Sequence, residues 1–322
     1  MRALKGFGFR NHINEKMVFQ NFFDYLHSPT NASQRFPGNS MITLDRRKFL
    51  TVAGGVSLAL AMPSFAFAEG GSLADIRQRG KLTVGTEAAY EPFEFVENGK
   101  VVGYGHDILE YMASKLGVTL NQVNLPFQGL LPGLMTHKFD FVATSVGINP
   151  ERAKRFAFSE PVGVVDTVLV ARASDTALTK TDDVAGKIVG TQMGSSSQPI
   201  AQAFDTQLKA KGAGYADIKL FQAYPDVMVA LTNKTLDVGI MPSNIVAVLM
   251  KKEPGQFRVI GKIGEPKMLA WVANPQDKEI REFINTSLAE LTKNGQLAQM
   301  QRKWFGYTMN LPTSGYLPEG AV

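Results

Sequence analysis

The side chains able to do covalent or proton-transfer chemistry in this sequence are few. There is no cysteine, which excludes thiolate nucleophiles, disulfides and Cys-based metal sites. Among the four histidines, His106 and His137 are the titratable candidates for general acid or base work, with Glu87 as the carboxylate beside them. His106 falls just before an expected helix cap and His137 near an expected helix C-terminus, positions that histidine often takes for structural reasons. No acid and base stand at a telling spacing, and the sequence carries no metal-ligand cluster and no nucleophile motif.

The elements that must position such a site read as alternating short apolar strands and amphipathic helices from residue 80 onward. The segment 81–85 (KLTVG) reads as a strand, and 107–117 as a helix with Ile108, Leu109, Met112, Ala113 and Leu116 on one face. Asp107 is its expected N-cap and Gly117 its stop. A strand at 118–124, a helix at 129–138 and a strand at 139–145 complete a β-α-β-α-β order, which predicts a parallel sheet covered by helices. A second series follows residue 175. Its strands are expected at 187–191, 218–223, 236–241 and 257–263, its helices up to about 212 and at 226–234 and 244–251. A long helix through Ile280, Phe283, Ile284, Leu288 and Leu291 and a shorter one ending at Trp304-Phe305-Gly306 close the chain. The joins between the two units, near 164–170 and 265–272, read as short and apolar.

The formal net charge of +5 invites a nucleic-acid or membrane partner, but it is unevenly placed. Residues 1–68 hold eight of the 34 basic and three of the 29 acidic side chains, leaving 26 of each sign in the remainder. The remainder is formally neutral, so no nucleic-acid partner is expected. Residues 45–68 (DRRKFLTVAGGVSLALAMPSFAFA) order a charged stretch, an apolar run and a small-residue A-x-A site, the pattern of a secretory signal peptide cleaved near Ala68. The R-R-x-F-L core resembles the twin-arginine export signal. Its apolar run falls short of the roughly 20 residues that span a bilayer. Met41 is a natural start. Residues 1–40 are then a doubtful N-terminal extension, either an artefact of the reading frame or an unusually long leader.

Several segments match one known family in order and at its spacings. They are GTEAAYEPFEF (85–95), GKVVGYGHDI (99–108), LPFQGLLPGL (125–134), FDFVATSVGINPER (139–152), FSEPV (158–162), GKIVGTQMGSS (186–196) and NGQLAQMQRKWFG (294–306). Together they resemble the periplasmic solute-binding proteins for polar amino acids, solute-binding family 3, which serve ABC importers. The resemblance implies a periplasmic-binding-protein type II-like α/β fold: two lobes joined by two hinge strands, with the ligand in the cleft between them. Lobe 1 would be discontinuous, from 75–165 plus 268–322, and lobe 2 would span 170–262. It further implies a periplasmic, monomeric, non-enzymatic protein with no cofactor, whose partners are a small polar carboxylate and an inner-membrane ABC permease.

By the same resemblance, Arg152 grips the ligand carboxylate, a task suited to a planar N–H fork that stays charged; as a surface charge beside Lys154 and Arg155 it would mean nothing. Ser195 and Ser196, after the turn at Gly194, would complete the carboxylate site or simply cap the next helix. Tyr90 matches a stacking aromatic, Phe127 and Leu130 an apolar wall, Ser145 a family hydroxyl, and Glu87 a cleft carboxylate able to meet a cationic group. Ser243 closes the candidate set. Two positions depart from the pattern. Gly147 stands where Ser or Thr is usual, and Pro242 stands where α-amino-acid binders place the aspartate that holds the ammonium. Either Glu87 takes over that role or the ligand lacks a simple α-amine. The resemblance also extends to cyclohexadienyl dehydratases, which share the fold and the leader and would make this an enzyme.

Overall fold

The structure, a computed structural model, describes residues 72–322. The readings of a leader, a signal peptide and a start at Met41 lie outside the described residues. The chain enters through α1 (Leu73–Arg79), capped by a reciprocal Ser72–Asp75 box and stopped by Gly80 at φ 65°. It then builds the alternating elements of the first half: β1 (Lys81–Thr86), α2 (Tyr104–Leu116), β5 (Thr119–Asn124), α3 (Phe127–Met135) and β6 (Phe141–Gly147). The strands β1, β5 and β6 are parallel. Every residue of β6 is buried, which is why it reads as a near-continuous apolar run.

The second half holds β8 (Ile188–Gln192), α5 (Ser197–Ala210), β9 (Asp217–Phe221), α6 (Tyr224–Thr232), β10 (Val238–Pro242) and α7 (Ser243–Lys252). Here β8, β9 and β10 are again parallel. Two long strands, β7 (Ala157–Arg172) and β11 (Phe257–Ala273), run through both halves and pair antiparallel with each other. The sheet order is β5-β1-β6-β11-β7-β10-β8-β9. The expected parallel sheet is therefore mixed: two parallel wings flank an antiparallel pair of crossing strands.

The expected joins at 164–170 and 265–272 lie inside these strands. They are not uniformly apolar, because residues 264–266 form an exposed irregularity between the Ile263–Thr167 and Lys267–Val165 pairs. Gly264 at φ 66° permits that bend.

A three-stranded sheet of β2 (Ala89–Tyr90), β3 (Glu94–Glu97) and β4 (Lys100–Val102) was not expected. Its tight turn is Asn98-Gly99, both at positive φ, the residue pair that two-residue hairpins demand. α2 begins earlier than expected, at Tyr104 after Gly103 at φ 126°. Asp107 is thus not its N-cap; its carboxylate accepts from Trp304 Nε1 and Lys303 Nζ, both at 2.7 Å. That contact ties α2 to α9 (Gln296–Phe305), which follows α8 (Lys278–Lys293). Gly117 does stop α2, at φ 71°. No helix among the described residues is long and apolar enough to cross a membrane.

Candidate functional site

The C-terminal ends of the parallel strands in the two wings face one another, the place where open α/β sheets bind ligands. From the first half, the residue after β1 is Glu87, β2 supplies Tyr90, α3 begins with Phe127, and β6 ends in Thr144, Ser145 and Gly147. From the second, β8 ends in Gln192, a turn leads to Ser195 and Ser196, and α6 begins with Tyr224. These residues line one small cavity, nearly filled by its own walls, with about 10 Å³ of free volume. Gly194, at φ 72°, makes the turn between Gln192 and the serines.

Polar contacts join the halves across this cleft. Gln192 Nε2 donates to Glu87 Oε1 at 2.5 Å. Gln128 Nε2 on α3 donates to the carbonyls of Met193 (3.0 Å) and Gln222 (3.2 Å). At the other side, Asn244 Nδ2 donates to the Glu91 carbonyl at 3.2 Å, and Lys252 pairs with the Glu91 carboxylate. The two halves thus touch on both sides of the cleft.

Arg152 sits on α4 (Pro150–Ala153), a single turn whose N-cap Asn149 accepts the Arg152 amide at 2.8 Å. Its guanidinium lies 5.4 Å from the centre of the Phe127 ring. It donates through Nη1 to the Gly147 carbonyl at 3.0 Å and through Nη2 to the Gly194 carbonyl. It therefore holds the rim of the cavity, touching the wall residues without lining the cavity itself. Burial brings its pKa down to about 10, which leaves it charged at neutral pH.

Glu87 is only 4% exposed. Burial pushes its carboxyl up to about 7, against the hydrogen bonds from Gln192 and the Phe127 backbone. Behind the cavity wall, Glu94 is fully buried, and Ser145 Oγ donates to its two oxygens at 3.1 and 3.3 Å. Burial raises its pKa as well, with Glu87 adding like-charge repulsion. Tyr90 and Tyr224 stand 6.0 Å apart between ring centres, one from each half. Ser195 Oγ donates to the Gln192 carbonyl at 2.8 Å. Ser196 precedes α5 yet makes no side-chain cap bond, so capping does not consume its hydroxyl.

The cavity thus gathers Glu87, Tyr90, Phe127, Ser145, Gly147, Ser195 and Ser196, with Gly194 and Arg152 on its rim. Two sequence candidates, Ser243 and Leu130, lie outside both lining and rim, as does the departing position Pro242. Ser243 opens α7, and its hydroxyl accepts the Asp166 amide of β7 at 3.3 Å, turned to a crossing strand. Pro242 is buried at the end of β10, paired with Thr167. Leu130, on α3, is fully buried in the core. His106 contacts Gln122 and His137 contacts Asn274, and neither lines the cavity. The described residues contain no group of side chains able to hold a metal ion.

Residues 82–307 match the model of the bacterial extracellular solute-binding proteins, family 3. The chain belongs to that family. Among relatives of this solute-binding protein, the L-cystine-binding protein TcyJ of Escherichia coli is 26% identical over 81% of this chain and 96% of its own length. ABC transporter arginine-binding protein 1 of the same species is 27% identical over 77% of this chain and 97% of its own. Holo ArgBP from T. maritima superposes with a TM-score of 0.62 at 30% identity, covering 73% of this chain and all of that one. AncCDT-1, an ancestral amino acid-binding protein and precursor of cyclohexadienyl dehydratase, gives a TM-score of 0.65 at 26% identity, covering 72% and 99%.

Sequence reasoning missed Thr144, Gln192 and Tyr224 among the residues that line this cavity. Thr144 and Gln192 lie inside segments that carried the family resemblance, and their strand-end positions were the available signal. Tyr224 starts a helix with Pro225 next to it and Asp226 completing a cap, a helix-start pattern that placed an aromatic at the cleft.

Proposed function

We propose that this chain is the extracytoplasmic ligand-capturing component of an ABC importer for an amino acid or related small carboxylate. The ligand is held between two closing lobes and delivered to an inner-membrane permease. The observation that carries this reading is a cavity between the two sheet wings with a guanidinium on its rim and a buried carboxyl, Glu87, inside. In this reading Arg152 and the Ser195–Ser196 hydroxyls take the ligand carboxylate, and Tyr90 and Phe127 line its flanks.

Glu87 takes the positive nitrogen. Burying an ammonium without a carboxylate partner costs several kcal/mol, and Pro242 offers no such partner. The ligand class is therefore a carboxylate that also bears a cationic group, consistent with the relatives named for arginine and cystine. Lobe 1 comprises 75–165 plus 268–322 and lobe 2 comprises 170–262, with the bend at 264–266 as part of the hinge. The protein works as a periplasmic monomer, exported by the twin-arginine route and cleaved near Ala68.

The competing reading is a dehydratase-like enzyme in which Glu87, with a pKa of about 7, serves as a general acid. It is favoured only by that carboxyl and by the likeness to a dehydratase precursor, itself described as a binding protein. Purified protein that turns over prephenate or arogenate would establish it. A thermal-shift screen against amino acids and small carboxylates tests the binding reading: a ligand at ~100 times its Kd stabilises the fold by about 2.7 kcal/mol. A screen with no responding carboxylate would overturn it.

A further inference from the structure

The family match ends at residue 307, yet the chain continues without helix or strand to Val322. This tail runs to the back of the turn that carries Arg152. Tyr316, Leu317 and Ala321 pack on the cluster that contains Ile148, Ala153 and Phe156. The Val322 N–H donates to the Ala153 carbonyl at 2.9 Å, and Arg281 Nη1 of α8 donates to the Val322 carbonyl oxygen at 3.0 Å. The tail is thus tied at once to α8 and to α4.

The turn α4 needs such support. It has four residues, far below the length at which a helix is stable alone. Its N-terminus is held by the Asn149 cap and its last residue, Ala153, is fully buried. The Ala153 carbonyl lies in the last turn, where helix carbonyls lack an intrahelical partner, and Val322 supplies the donor. The neighbouring residue is Arg152, whose guanidinium must reach the Gly147 and Gly194 carbonyls on the cleft side.

We propose that residues 316–322 are a positioning segment for Arg152, bracing α4 from behind so that its guanidinium stays on the cavity rim. The ligand consequence rests on the carboxylate role given to Arg152 above; the brace itself does not. Two variants test it: deletion of 316–322, and Val322→Pro, which removes the N–H while leaving residues 316–321 in place. The first readout is hydrogen exchange. Amides of residues 151–156 should exchange at least tenfold faster in both variants, with α2 unchanged. The second is calorimetry with L-arginine and with L-arginine amide, which lacks the carboxylate. Affinity for L-arginine should fall at least tenfold and affinity for the amide less than twofold.

Unchanged exchange in α4, or equal losses for the two probes, would overturn the proposal. If L-arginine fails to bind the unaltered chain, or binds Arg152→Ala equally well, the ligand reading falls. The exchange comparison then decides alone for or against the brace.

Discussion

Gln192 and Glu87, from opposite halves of the sheet, meet across the cleft through a hydrogen bond of 2.5 Å. The bond places a donor on a carboxyl that burial holds near pKa 7. Its strength is therefore tied to pH and to whatever else enters the cavity.

Stability should depend on pH through Glu87. Its folded pKa is raised above the ordinary value of 4.5, so between about 4.5 and 7 the folded state holds a proton that the unfolded state has lost. Stability from this group is full below pH 4.5 and falls as pH rises through 7, by about 3 kcal/mol in all. Urea unfolding at pH 5 and pH 8 should give Glu87→Gln a smaller loss between the two than the unaltered protein.

A cationic ligand should displace that proton. Contact with a positive nitrogen favours the carboxylate, so binding near pH 7 releases protons and tightens as pH rises through 7. Calorimetry of L-arginine in buffers of different ionisation enthalpy should show net release in the unaltered protein and none in Glu87→Gln.

Gly147 and Ser196 fit each other from opposite halves. A Cβ added at Gly147 would lie 2.6 Å from Ser196 Oγ and 2.7 Å from its Cβ, contacts that real structures do not tolerate. The glycine at a position where the family favours Ser or Thr thus has a local cause, a serine filling the facing space. Gly147→Thr should hold the cleft open, seen as a larger radius of gyration by small-angle scattering, and weaken ligand binding about tenfold or more; adding Ser196→Gly should return the radius of gyration toward that of the unaltered protein, as coupled neighbours do.

Gln128 donates to two carbonyls of the other half without lining the cavity. Gln128→Ala should therefore shift the unliganded protein toward the open form, measured as a larger radius of gyration by small-angle scattering. Affinity should weaken through a faster off-rate, with the on-rate little changed.

Much of this was legible beforehand because the strand ends and the family-like segments coincide. Glu87, Ser145, Gly147, Ser195 and Ser196 all sit where a strand gives way to a turn or helix, and period-two and period-3.6 patterns locate such points. Ser243 sits at a similar junction, but its hydroxyl turns to β7, and only the three-dimensional pairing of Pro242 with Thr167 reveals that. The crossing strands were read as apolar joins because a strand that passes between two halves changes its burial midway. Tyr224 went unnoticed because an aromatic at a helix start looks like any core residue until the opposite half is in place.

The central claim is that a ligand carboxylate is held through Arg152. Calorimetry of the unaltered protein and of Arg152→Ala, each titrated with L-arginine and with the best-responding carboxylate from the thermal-shift screen, tests it most directly. Loss of charged hydrogen bonds worth roughly 1.5–3 kcal/mol each predicts affinity at least tenfold to a hundredfold weaker in the variant. Equal affinity in the two proteins would contradict the account.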